Sequence, residues 1–239
     1  MKAKITALIA GMLVFSSLYA HADSRSWAGD KKVTREVSPF SEISLSIAAD
    51  LYLIQGDEYS LELEGDADEL EKIETEVQGD VLRIEHDRPF HFGRSQRITI
   101  YVTMKKVEGL SVAGSGKIEA KSPIQAEDLD LDLSGSGDIN IEDLEATNVD
   151  TDISGSGDIR LAGKTLVRTL DCDITGSGDI HAEGLRVGEA DIDISGSGGC
   201  KVDVADKLDV EISGSGKVRY RGNPTVNADI SGSGRVESY

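Results

Sequence analysis

From Leu129 onward, apolar and acidic residues alternate in short runs, and the runs recur. Leu129-Asp-Leu-Asp-Leu133, Val149-Asp-Thr-Asp-Ile153 and Leu170-Asp-Cys-Asp-Ile174 come first. Ala190-Asp-Ile-Asp-Ile194, Leu208-Asp-Val-Glu-Ile212 and Val226-Asn-Ala-Asp-Ile230 follow. A period of two puts one set of side chains in a core and the other in water, so each run predicts a half-buried strand. A Gly-Ser-Gly triplet follows each run, and then a second short alternation such as Ile139-Asn-Ile141, Ile159-Arg-Leu161 or Val218-Arg-Tyr220.

The triplet occurs seven times, with starts 21, 20, 21, 20, 18 and 18 residues apart. Its glycine pairs are Gly114 and Gly116, Gly135 and Gly137, Gly155 and Gly157, Gly176 and Gly178, Gly196 and Gly198, Gly214 and Gly216, and Gly232 and Gly234. A repeat near 20 residues is too short for a strand-helix-strand unit, which needs roughly 30. It fits one coil of a β-solenoid, with the triplet as a tight corner that needs glycine's backbone freedom. Parallel stacking then aligns Leu133, Ile153, Ile174, Ile194, Ile212 and Ile230 in one buried column. An antiparallel meander is the competing arrangement, but it gives no reason for one residue type at one offset in every copy.

Ahead of the repeats, Met1–Ala22 reads as a secretory signal peptide. Lys2 and Lys4 precede the apolar run Ile5–Leu18, and Ala20-His21-Ala22 is a small-residue cleavage site. The expected location is therefore exported, periplasmic or secreted, with cell-surface association a further option. Asp23–Lys32 is a polar lead-in, and residues 33–239 form a single solenoid domain. Within it, Val33–Ala113 is a divergent version of the repeat plan, with Ala48-Ala49-Asp50 in place of a glycine corner. Strands are expected at Ser60–Glu64, Val81–Glu85, Arg97–Thr103 and Gly109–Ala113. Leu70, Ile73 and Val77 at helical spacing predict a short amphipathic helix over Ala67–Val77, closing the end of the solenoid.

Arg35-Glu-Val37, Phe40-Ser-Glu-Ile43, Leu53-Ile-Gln-Gly56, Leu61-Glu-Leu-Glu-Gly65 and Gly79-Asp-Val-Leu-Arg-Ile84 form a second pattern, joined downstream by Gly137-Asp-Ile-Asn140. Together with the Gly-Ser-Gly corners, this resembles the auto-transporter adhesins with a head GIN domain, over essentially all of the mature chain. The resemblance implies a right-handed parallel β-helix of pectin-lyase-like shape, no catalytic residues, and a role in cell adhesion. The stretch after Arg235 has no pattern of a translocator barrel, stalk or anchor, so self-display is not expected of this sequence.

The net charge of −19 becomes −21 without the leader, which carries Lys2 and Lys4 and no acid. Nucleic acid and acidic membranes are disfavoured as partners by that balance. The leader's apolar run is too short to span a bilayer, and no other span is expected. The acids concentrate in two ladders. Asp130, Asp150, Asp171, Asp191 and Asp209 form one, ended by Asn227; Asp132, Asp152, Asp173, Asp193, Glu211 and Asp229 form the other. Stacked about 4.8 Å apart, neighbouring carboxylates repel by about 0.9 kcal/mol in water before screening. Weak Ca2+ bridging would offset that load, and a solvated, salt-screened face is the alternative. No other cofactor is expected.

Beyond the corner, Arg160, His181, Lys201 and Arg219 fall in one outward column, with Asp138, Asp158 and Asp179 preceding three of its copies. The least repetitive segment, His86–Arg97, offers a candidate binding loop through His86, Arg88, Phe90, His91, Phe92 and Arg94. The alternative is a protruding hairpin whose phenylalanines cover the core. Enzyme readings find little support: the acids recur in every coil instead of forming one irregular cluster, and no nucleophile elbow, zinc motif or phosphate loop is present. The expected function is thus a non-enzymatic, adhesin-like head that binds a surface, glycan or protein partner. The alternatives are a polysaccharide-active enzyme of pectin-lyase-like shape and a purely structural envelope protein. Cys172 and Cys200 both point inward on either side of a corner; buried free thiols are the expected state, with a disulfide the competing one.

Overall fold

The computed structural model describes residues 30–87 and 97–239. The signal-peptide reading and residues 23–29 of the lead-in therefore lie outside the described residues. The N-terminal part contains β1 (Asp30–Arg35), β2 (Glu42–Leu45), β3 (Asp50–Gln55), β4 (Ser60–Asp66), the single turn α1 (Ala67–Leu70), β5 (Ile73–Gln78), β6 (Val81–His86), β7 (Thr99–Met104), β8 (Gly109–Gly114) and β9 (Lys117–Ala120). The regular part follows as β10 (Ile124–Gly135), β11 (Asp138–Ile141), β12 (Leu144–Gly155), β13 (Asp158–Gly176), β14 (Asp179–Gly196), β15 (Gly199–Gly214), β16 (Lys217–Gly222), β17 (Thr225–Gly232) and β18 (Arg235–Ser238).

From β8 and β9 to β17 and β18, every pairing is parallel and joins one coil to the next. The chain is a β-solenoid of about six turns, not a meander. Val112, Leu133, Ile153, Ile174, Ile194 and Ile212 align in register and are at most 2% exposed, whereas Ile230, expected to end this buried column, aligns with Ile212 but is 39% exposed in the last coil. On the other side of the corner, Ile118, Ile139, Ile159, Ile180, Cys200 and Val218 form the facing column, buried to the same degree. Like side chains nest on like, so each coil is a template for the next.

The corner explains the triplet. Gly155 has φ of +142°, a left-handed conformation that glycine adopts without cost. Gly157 has no such φ, yet a Cβ on it would sit 2.1 Å from the Gly137 carbonyl oxygen. The serine between them donates its backbone N–H to Gly135 O at 2.7 Å, so the hydrogen-bond ladder continues through the bend. Gly155 is required both for the turn and for the stacking, since a Cβ on it would also lie 2.1 Å from Gly135 O, whereas Gly157 is required for the stacking alone.

The N-terminal coils depart from simple stacking. The first, β2 and β3, lies against β8 and β9 in parallel, with Asp50 beside Lys117, so Ala48-Ala49-Asp50 does replace a glycine corner. The second, β6 and β7, pairs with the opposite edges of β2 and β3. Coil order therefore differs from chain order: the first coil is enclosed and the second is outermost. Antiparallel strands close this end, with β4 on β7, β1 on β4, and β5 on β6.

The predicted helix over Ala67–Val77 is confined to one turn. Asp66 caps it, accepting from the backbone N–H groups of Asp68 at 3.0 Å and Glu69 at 3.3 Å. Ile73–Gln78 is strand β5 instead. Its Ile73, Thr75 and Val77 are β-branched and alternate, so the segment also has a period of two. A second helical turn would gain few bonds, whereas β5 satisfies the open edge of β6. Strand structure also begins three residues earlier than the lead-in reading suggests, since Asp30, Lys31 and Lys32 pair with Asp66, Gly65 and Glu64.

Candidate functional site

Two outward surfaces follow from the register, one on each side of the corner. On the first, Asp130, Asp150, Asp171, Asp191, Asp209 and Asn227 align, and Asp132, Asp152, Asp173, Asp193, Glu211 and Asp229 align beside them. Burial, followed by repulsion from the neighbouring carboxylates, pushes Asp150, Asp152, Asp171 and Asp193 above the usual carboxylate range. At Asp209 the pattern reverses, because the Lys207 ammonium beside it holds its carboxyl down. The ladder is thus a loaded, partly shielded surface whose charge is relieved at Asp209, the last aspartate of the first column.

On the second surface one outward column runs through the coils from end to end. In register it reads Glu62, Tyr101, Tyr52, Glu119, Asn140, Arg160, His181, Lys201, Arg219 and Glu237. The four basic residues expected in one column are brought together. The tyrosine pair that continues it was missed, since the divergent coils hide their register in the sequence. The two rings lie 5.7 Å apart at 42°. Lys32 sits 4.8 Å over Tyr101, and Lys121 sits 4.5 Å over Tyr52. Burial and the Glu64 carboxylate push the Tyr101 hydroxyl up to about 12. At the other end the Arg219 guanidinium lies 4.8 Å over the Tyr239 ring.

Of the candidate loop residues, His86 ends β6 beside Ile73 and is half-buried. Arg88, Phe90, His91, Phe92 and Arg94 lie outside the described residues. Cys172 and Cys200 are free and buried, and the Cys172 side chain is near enough to Cys200 inside the solenoid to perturb its thiol. That proximity and burial push the Cys200 thiol well up, which disfavours the reactive thiolate. No helix among the described residues is long and apolar enough to cross a membrane.

Fold and surface together define a class: a parallel β-solenoid with a packed interior and two long, oppositely patterned outer faces. The family model described as "Putative auto-transporter adhesin, head GIN domain" matches residues 39–224, and the chain belongs to that family. Solved structures share the fold. A putative adhesin from Bacteroides fragilis superposes with a TM-score of 0.82 at 21% identity, covering 89% of this chain and 98% of that one. A putative lipid binding protein from Parabacteroides distasonis gives 0.73 at 25% identity, covering 89% and 97%. A putative adhesin from the same organism gives 0.71 at 26% identity, covering 89% and 98%. Among curated proteins, none matches the chain.

Proposed function

We propose that the chain is a non-catalytic, adhesin-like head that holds an extended acidic glycan along its second face. The observation that carries this reading is the column from Tyr101 and Tyr52 through Glu119 and Asn140 to Arg160, His181, Lys201 and Arg219, whose four successive basic positions outnumber its one interior acid. Side chains presented at a fixed spacing of about 4.8 Å suit a repeating polymer better than a compact ligand. Aromatic faces stack on sugar rings, and Arg and Lys donate to carboxylates. The acidic ladders on the other face repel the same polymer, which confines it to one side. The family's adhesin description supports the binding role, and acids that recur coil by coil support the absence of a catalytic cluster.

Lys201→Ala/Arg219→Ala tests it in a glycan array and in calorimetry with acidic polysaccharides. Retention of acidic glycans by the parent, weakened at least about tenfold in the double variant, is the expected result. A parent that retains neutral glycans equally well, or cleaves the polymer, argues against it.

A further inference from the structure

The repeat places an aspartate directly after three successive corners, at Asp138, Asp158 and Asp179, which align in register. Two residues on, the outward position holds Asn140, Arg160 and then His181. Strand alternation puts Asp179 and His181 on one face, and parallel pairing sets Asp158 beside Asp179. One ligand atom from each of Asp158, Asp179 and His181 lies within 4.8 Å of the other two. We propose that these three side chains form a binding site for a zinc-class divalent ion.

Two features beside the cluster favour this, the carboxylate behind His181 and the space at Gly199. The Arg160 guanidinium pairs with Asp158 Oδ2 at 2.6 Å and lies 3.7 Å from Asp138 Oδ1, so an ion would use the other Asp158 oxygen. His181 Nδ1 lies 3.8 Å from Glu183 Oε2, an oxygen shielded from solvent and without a hydrogen-bond partner. An imidazole that ligates a metal through one nitrogen characteristically offers the other to a carboxylate, which fixes its tautomer and raises its basicity. The next residue in the aspartate column is Gly199, where the following coil has Lys217. A Cβ at Gly199 would stand 2.7 Å from Asp179 Oδ1, so this glycine makes room for the carboxylate in its present position.

The donor set selects the ion. One imidazole and two carboxylates suit zinc, with water completing a tetrahedron, whereas calcium prefers six or more oxygens. Zn–N and Zn–O bonds of about 2.0–2.2 Å require the three atoms to close by about 1 Å, which surface side chains can do. The proposal does not rest on glycan binding, and its test contains no glycan, so each can fail alone.

Calorimetric titration of the whole chain with zinc chloride in a non-coordinating buffer is the experiment. The parent takes up one ion, and His181→Ala and Asp179→Asn each weaken binding at least about tenfold. Gly199→Ala weakens it too, although it removes no ligand, because it displaces the Asp179 carboxylate. Asp152→Asn/Asp173→Asn, on the other face, binds as the parent does. Circular dichroism checks each fold, and if one variant unfolds the others decide. No zinc heat from the folded parent, or parent-like binding by His181→Ala, overturns the proposal, as does displacement of zinc by equimolar calcium.

Discussion

Gly157 and Gly79 separate two reasons for a glycine. At Gly79 the backbone is left-handed, with φ of +64°, but nothing lies within 4 Å of a Cβ placed there. Gly157 is the opposite case, since a Cβ would meet Gly137 O at 2.1 Å and Leu133 Cδ2 at 2.7 Å. Gly79→Ala should therefore cost about 1 kcal/mol of backbone strain. Gly157→Ala should cost about 3 kcal/mol or more, because a rigid neighbouring backbone has to move. Denaturant unfolding of the two variants checks this, and equal costs would show that corners are not close-packed. Sequence marked Gly157 as a corner glycine and Gly79 only as part of a strand pattern, and the distinction between φ and contact needed the neighbouring coil. Cys172 and Cys200 teach the same lesson: alternation placed both inside, and only coil stacking brings the thiols together.

Among elements, β12, β13 and β14 carry the most concentrated electrostatic load. Asp150, Asp152, Asp171 and Asp193 are pushed above the ordinary aspartate value of 3.8. Between that value and the raised ones the folded chain binds more protons than the unfolded chain. Stability contributed by these groups therefore falls as pH rises through the window and is lowest above it. Asp152→Asn/Asp173→Asn should raise Tm at neutral pH and low salt. That gain should shrink with added salt, and again as the pH approaches 3.8. A variant whose Tm tracks the parent at every pH and ionic strength would remove the ladder from the stability argument. Calcium bridging predicts calorimetric heat with the parent and none with this variant. Equal, salt-like responses in both would sink it and leave a solvated face. The ladder was legible because a period of two and a repeat of 18 to 21 residues determine its register. Its partial relief at Asp209 was not legible, because it depends on Lys207 folding back beside it.

For the whole molecule, the consequential feature is the closed N-terminal end. Arg35 on β1 reaches across it, with Nη1 donating to Ile73 O at 2.6 Å and Thr75 Oγ1 at 2.9 Å, and Nη2 donating to Leu70 O at 2.8 Å. One guanidinium thus joins β1, the end of α1 and the start of β5. Burial lowers its pKa, which marks how far it is withdrawn from water. Arg35→Ala should cost about 2–3 kcal/mol and increase protease sensitivity near residues 70–78 first. Uniform loss across the regular coils, read by hydrogen exchange, would contradict that local role. The strands, corners and outer faces of the regular coils, and their buried columns as far as Ile212, were legible in the sequence; the exposure of Ile230 in the last coil was not. Repetition makes each local choice agree with its neighbours, so alternation and the repeat length together imply the parallel register. Tertiary structure decided the rest, where repetition fails. It selected strand over helix at Ile73–Gln78, because the edge of β6 required a partner. It enclosed the first coil beneath the second. It also drew Tyr52 and Tyr101 into line with Arg160 and His181, since long-range pairing sets register once the period in the chain is lost.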